Sequence, residues 1–452
     1  MLPFPTCSNF PGRSTLAMWC GGLALLLLAC APAQATPAFA RQTGSVCADC
    51  HATAYGGGAN GPNLTPYGMR FKLSGYTDSN GSGPPIPVAA QLIATHTVPA
   101  RGEVTSRLTE ADIYLAGRLT DHIGAFVKVA ADNTGGGNYK VRLAHVDLRF
   151  VAPGLQLAGR DLTLGVSVNN SPGFQDPVSA LPGASTLGPP GVTGTLLNLS
   201  SPNAPANRVI GATLYGVYDS DWYGEIGTYS ALSVAAQDSL GYRASGDPGK
   251  LGDTGYFRFA WMKDLKRHFF SAGVVALTTS RQRPRGVPAD DITDLGYDLT
   301  YQYLGTREHI VQLSYVNVYE RRDYGNRPLG PAGQLAQAHG AARDQILSAS
   351  YTWRQTYGIT FSHLDSNGTP DAVRFVPYAE PHTTSNLLSL YWVPFGKEGS
   401  IARYGNLKLA ATWFRFSRFN GTSSNIFGAP PGAPMASADD LDAFSVSISV
   451  AF

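Results

Sequence analysis

Charge is scarce in this chain. Asp, Glu, Lys and Arg make up 15% of 452 residues, well below the roughly 25% of an average soluble domain. The formal net charge of +2 argues neither for nor against nucleic acid, but no Lys/Arg stripe occurs, which sets nucleic-acid binding aside. Long apolar runs are missing too. After Ala35 no stretch reaches the roughly 18 apolar residues of a membrane-crossing helix. A membrane protein without such helices must be a closed barrel, because every backbone polar group in lipid needs an internal partner. Cysteine is nearly absent: Cys7, Cys20, Cys30, Cys47 and Cys50 are all of it. An exported chain with no thiol beyond Cys50 has no disulfide framework.

Residues 1–35 read as a signal peptide. Arg13 gives a thin positive region, Leu23 to Ala29 an apolar core, and Ala33-Gln34-Ala35 a small-x-small cleavage site, with Ala38-Phe39-Ala40 as a later option. Leu27-Leu28-Ala29-Cys30 also has the form of a lipoprotein signal, with Cys30 as the lipidated end. With cleavage after Ala35, only Cys47 and Cys50 remain in the mature chain.

That pair stands in Cys47-Ala48-Asp49-Cys50-His51, the C-x-x-C-H pattern of covalent c-type haem attachment. Two thiols one turn apart can add across the two vinyl groups of one haem edge. The next residue, His51, is then placed as proximal iron ligand. A structural zinc site would need a second ligand pair, and no further Cys supplies it. A thioredoxin-like pair would need a βαβ context, which is absent. The second axial ligand stays open. Met69 lies 18 residues beyond His51 and is the nearest methionine; it would give a Met/His haem, unless it packs against the wall. His96 or His122 would give a bis-His haem instead. The segment 36–86 has too few apolar residues to bury a haem by itself, so something else must shield it. Within it, Leu64 to Leu73 predicts one short helix starting near Pro66, and Gly56 to Gly61 reads as loop.

The rest, 87–452, reads as a transmembrane barrel. Phe444, Val446, Ile448, Val450 and Phe452 alternate with Ser445, Ser447, Ser449 and Ala451, an apolar-out, polar-in dyad ending on an aromatic residue. The same period places Phe257, Phe259 and Trp261 toward lipid and Arg258 inward. It does likewise for Leu347 to Trp353, for Leu388 to Trp392, and for Ile123 to Val129 around Lys128. About sixteen antiparallel strands fit, from 88–98 through 139–151 and 155–168 to 442–452. Short connections such as Ala152–Gly154, Asp219–Ser220 and Gln355–Thr356 alternate with long ones such as 169–207 and 418–441. Short-long alternation with an even count puts both chain ends at the periplasmic side. The loop 169–207 either enters the lumen or covers the outside. Asp290, Asp291 and Asp294, and Asp439, Asp440 and Asp442, read as solvated loop charge or as hard-oxygen cation sites.

Three stretches resemble the fused cytochrome–porin proteins of the outer membrane, including those implicated in iron(II) oxidation. They are Ala38 to Gly44, Cys47 to His51, and Pro62 to Lys72. The resemblance implies one covalent haem c held in or at the pore of an outer-membrane barrel. It implies electron transfer from an extracellular donor such as Fe(II) to a periplasmic cytochrome c or other carrier, with Fe(II):cytochrome c oxidoreductase activity as one form of it; the barrel itself makes outer-membrane lipid a partner. Only Cys47, Cys50 and His51 carry over by motif. The Gly56 to Gly61 insert is longer than the family's usual spacer. Two rivals remain: a porin passing a small solute around a structural or sensory haem, and peroxidase-like chemistry, for which no distal acid–base residue stands out.

Overall fold

The structure, a computed structural model, describes residues 37–452 except 54, 56–63, 80–86, 136, 180, 182–193, 199–203, 243–246, 331, 398–400 and 402–403. The expected signal peptide, Cys30 and the Gly56 to Gly61 insert lie outside the described residues. Three short helices come first: α1 (Pro37–Thr43), α2 (Cys47–Cys50) and α3 (Pro66–Leu73). Sixteen strands follow, from β1 (Val88–Pro99) to β16 (Ala443–Ala451). Each pairs antiparallel with its neighbours in sequence, and β1 closes the ring on β16 with Gln91 opposite Ala451. No described helix is long and apolar enough to cross a membrane.

The dyad pattern accounts for the wall. On β8 (Lys250–Asp264) Phe257 and Phe259 are 44% and 40% exposed, while Tyr256, Arg258, Ala260 and Met262 are buried. The terminal strand behaves alike, with Phe444, Val446 and Val450 outward and Ser449 buried. An exterior of Leu, Ile, Val and Phe is unfavourable in water and stable in lipid. At the rim of short turns Trp222, Trp353, Tyr357 and Trp392 point outward, as an interfacial aromatic girdle requires.

Tight turns sit where left-handed backbone is available. Asp219 and Ser220 (φ 53° and 58°) and Arg354 and Gln355 (φ 52° and 54°) open turns of three residues, 219–221 and 354–356, each one residue longer than the sequence suggests. One turn falls elsewhere than the sequence suggests. β4 (Asn138–Leu157) runs through Ala152–Gly154, and the chain reverses at Ala158–Gly159 (φ 51° and 77°) before β5 (Arg160–Asn169). Gly154 also has positive φ, but it serves a bulge between Ala152 and Leu155. Two glycines five residues apart both permit a left-handed residue, and pairing decides which one ends the strand.

Candidate functional site

The C-x-x-C-H motif is α2 and the residue after it. Asp49 accepts from the Val46 N–H at 3.0 Å, which caps the single turn. His51 N–H donates to Cys47 O at 3.0 Å. Both cysteines are free and half-buried, and His51 is half-buried beside them. Burial pushes the Cys47 thiol up to about 11 and the Cys50 thiol to about 12, so as free groups they stay protonated.

The barrel's short turns grip this helix. Ala48 N–H donates to Gly396 O at 3.2 Å. The Arg307 guanidinium forks onto Ala48 O and Asp49 O at 3.0 and 3.2 Å, and Gln355 Nε2 reaches Ala48 O at 3.3 Å. A one-turn helix leaves its last carbonyls without partners in the helix, and these donors satisfy them. Ala48 is fully buried against Val393, with Val46, Tyr55 and Tyr391 around it.

From the other side α3 packs onto α2. Thr65 N–H donates to Cys50 O at 2.9 Å and Thr65 Oγ1 to Asp49 O at 2.5 Å, while the same hydroxyl caps α3 by accepting from Gly68 N–H at 3.3 Å. A Cβ on Gly68 would lie 2.3 Å from Cys50 O, so only glycine permits this approach. The predicted helix from Pro66 is therefore real, and its first turn is shaped by the motif.

The plug is tied to the inner wall by aromatic rings. Phe39 of α1 meets Phe71 at 4.9 Å, Tyr76 at 5.4 Å and Phe126 of the wall at 6.3 Å, centroid to centroid. Tyr76 O–H donates to Asp147 at 2.7 Å, and Tyr215 O–H to Leu73 O at 3.0 Å. The wall thus supplies the apolar cover that the short N-terminal segment lacks.

The three candidates for a second iron ligand fall in different places. Met69 is 2% exposed in a cluster with Leu64, Leu73, Tyr215 and Met262. His96 is on the outward face of β1, with Nδ1 2.6 Å from Ser106 Oγ. His122 is in a rim turn, with Nδ1 3.2 Å from Val151 O. Neither histidine is brought to α2. His145, not singled out by the sequence, does enter the lumen and stacks on Phe174 at 4.2 Å.

The long loop after β5 is the largest addition to the sequence reading: it enters the lumen. Lys72 Nζ of α3 donates to Phe174 O at 2.6 Å and Asp176 O at 3.1 Å. Burial, reinforced by Arg149, lowers this amine to about 8. Arg149 donates to Gln175 O at 2.7 Å, and Arg258 bridges Asp176 and Asp298 at 3.3 and 2.5 Å. Further along, three successive backbone N–H groups meet three carboxylates on adjacent strands. Thr195 donates to Asp344 at 2.7 Å, Leu196 to Glu320 at 2.6 Å and Leu197 to Asp294 at 2.8 Å. Leu196 and Leu197 are fully buried against Val209, Leu277, Val316 and Val318. Asp294 is therefore neither solvated loop charge nor a cation ligand; it faces inward and holds the loop. Nor do the acidic clusters converge elsewhere: among the described residues no three His, Cys, Asp or Glu side chains are grouped to hold a metal ion.

A closed ring of sixteen strands with apolar side chains outside and ion pairs inside has one habitat. The chain is an outer-membrane β-barrel. No family model matches it, and no curated protein does. Among solved structures it is similar to the trimer form of OmpT, an outer membrane protein of Vibrio cholerae, at 11% identity and a TM-score of 0.44, covering 81% of this chain and 98% of that one. It is also similar to Salmonella typhi OmpF in complex with daunomycin (10%, 0.46, 81% and 97%). A third is the outer membrane channel DcaP of Acinetobacter baumannii (11%, 0.45, 81% and 96%).

Proposed function

We propose that this porin-like barrel carries electrons, through one haem c joined to Cys47 and Cys50, between a donor outside the cell, Fe(II) among the possible donors, and a carrier in the periplasm. The observation that carries the reading is the motif's setting. Two free thiols stand on one helical turn with an imidazole next in the chain, clamped to the rim of a lumen that a second segment also enters. The donor set fits a c-type haem: two soft thiols to tether it and one imidazole to ligate iron. With no acidic or second Cys/His group clustered there among the described residues, it does not fit a zinc site.

Each residue of the chain has a task in this reading. Cys47 and Cys50 would hold the haem through thioethers, His51 would ligate its iron, and Met69 would be the second ligand. Arg307, Gln355 and Thr65 fix α2 through its carbonyls, and Gly68 lets α3 close over it. The haem, when bound, supplies a one-electron couple tuned by its axial ligands and by burial. An apolar band about 25 Å tall separates the two sides, and a site at the rim of short turns stands at the periplasmic end of that span. A porin needs a water-filled path; here plug and loop both occupy the lumen and meet at Lys72, which favours electron transfer over solute flux.

The test is a visible spectrum of the purified full-length protein, followed by addition of Fe(II). A c-type spectrum that shifts to the reduced form on adding Fe(II) is expected. A c-type protein that stays oxidised with Fe(II) but is reduced by other donors overturns the iron reading. Absence of covalent haem together with large steady bilayer currents overturns the whole proposal in favour of a porin. The long-wavelength sulfur-to-iron band of the oxidised form, lost in Met69→Leu, identifies the distal ligand.

A further inference from the structure

The rim of short turns is electrostatically lopsided. The turns after β8, β10 (Asp290–Tyr303), β12 (His339–Trp353) and β14 (Thr383–Trp392) lie around α2 or next to the turns that hold it: Gly396, Gln355 and Arg307 touch α2, and Leu304 N–H donates to Arg267 O at 2.7 Å. This half of the rim, with α3 beside it, carries Arg70, Lys266, Arg267, Arg307, Arg354 and Lys397 against only Asp264 and Glu308 among the described residues. Both acids are already engaged, Asp264 with Arg70 and Glu308 with Arg354. Asp49 is turned into the start of its own helix. Lys266, Arg267 and Lys397 are exposed, and no described carboxylate pairs with them.

Across the ring the excess of cations is gone. The turns after β2 (Thr105–Arg118), β4 and β6 (Val209–Tyr218) carry Asp121, Asp161, Asp219 and Asp221, and the ion pairs Arg118–Asp121, Arg160–Asp219 and Lys263–Asp221 leave Asp161 as the charge there without an ion-pair partner among the described residues. Anionic lipid headgroups surround a barrel on all sides, so attraction to lipid does not account for a basic sector confined to one half. The sector coincides instead with the haem-attachment motif.

We propose that this basic half-rim is the docking surface for an acidic soluble electron-transfer protein of the periplasm, seated over α2. The inference rests on the electron-transfer reading above. Complementary charge mainly speeds and orients encounter, and it is screened by salt. A carrier steered to this sector arrives beside Cys47 and Cys50, not at the far side of a ring of turns.

The experiment immobilises the full-length protein in detergent and measures, by interferometry, binding of two soluble single-haem cytochromes of similar size, one strongly acidic and one strongly basic. The acidic protein should bind and the basic one should not. Raising salt from about 0.01 M to 0.1 M, which shortens the screening length from about 30 Å to about 10 Å, should weaken binding. The variant Lys266→Glu/Arg267→Glu/Lys397→Glu should weaken it by about tenfold or more, with the loss mainly in the association rate. Asp161→Lys/Asp219→Lys, on the opposite half, should leave it unchanged. Equal binding by the triple variant, equal loss from the opposite-half variant, or capture of phosphatidylglycerol vesicles with no cytochrome bound would each overturn the proposal. Interferometry reads docking whether or not haem is present, and the spectrum of the same sample reads the tether. Docking without a haem band removes the reading of α2, whereas a haem band without docking removes only this surface.

Discussion

The plug and the lumen loop share one lumen and are held by opposite chemistry. The plug is fixed by shape. Its rings stack on one another and on Phe126, a missing Cβ at Gly68 admits Cys50 O, and its polar contacts run mostly to backbone carbonyls. The loop is fixed by charge. Asp294, Glu320 and Asp344 receive its N–H groups, while Lys72 and Arg149 take its carbonyls. Packing of the first kind is insensitive to ionisation and intolerant of added volume. Bonds of the second kind lose most when one partner is neutralised, because the other stays buried without its counterpart. The difference suits the proposed roles: a redox site needs fixed geometry, whereas a loop in a lumen needs only to stay.

The comparison breaks most completely at the thiols. Cys47→Ala with Cys50→Ala should abolish covalent haem while leaving the barrel folded. Haem staining of a denaturing gel and heat-shifted mobility of the barrel check the two halves of that statement, and a stain that persists refutes the tether. Next comes the triple change Asp294→Asn, Glu320→Gln, Asp344→Asn. Each carboxylate makes a charge-assisted bond worth about 1.5–3 kcal/mol, so the loop should leave the wall. Bilayer recordings should then show current where the native protein shows little, and an unchanged recording would mean the loop is held by Leu196 and Leu197 alone. Gly68→Val tests the plug. Overpacking of this kind costs about 1–3 kcal/mol, and amide exchange should quicken in α2 and α3 but not in the loop. A uniform change in both would deny the separation.

The smallest expected effect lies at Lys72, where the two regions meet. Its amine sits near 8 in the folded chain against an ordinary 10.5. Between those values the unfolded chain holds more protons, so this group makes stability rise with pH from about 8 to 10.5 and weakens the fold below that window. Lys72→Gln should flatten the rise in a denaturant series across that range. An identical slope in native and variant proteins would show that the buried amine is not the source.

Much of the wall was legible because a strand's two faces alternate strictly, so side-chain parity alone places Phe257 outward and Arg258 inward. The motif was equally legible, since its chemistry lies within five consecutive residues. What could not be seen is whatever depends on pairing across the ring. Arg307 lies 259 residues from Ala48, and nothing local marks it as the cap of α2. Asp294 was grouped with Asp290 and Asp291 by proximity in sequence, although its inward parity on β10 (Asp290–Tyr303) was the better guide. The loop after β5 carried no periodicity to show which side of the wall it chose.

The grip on α2 also orders events in time. Gly396, Arg307 and Gln355 come together around Ala48 only once the last third of the chain has been threaded into the ring. Cys47 and Cys50 stay half-buried at that rim, but the single turn they stand on takes its final form only with the ring, as a keystone is seated last.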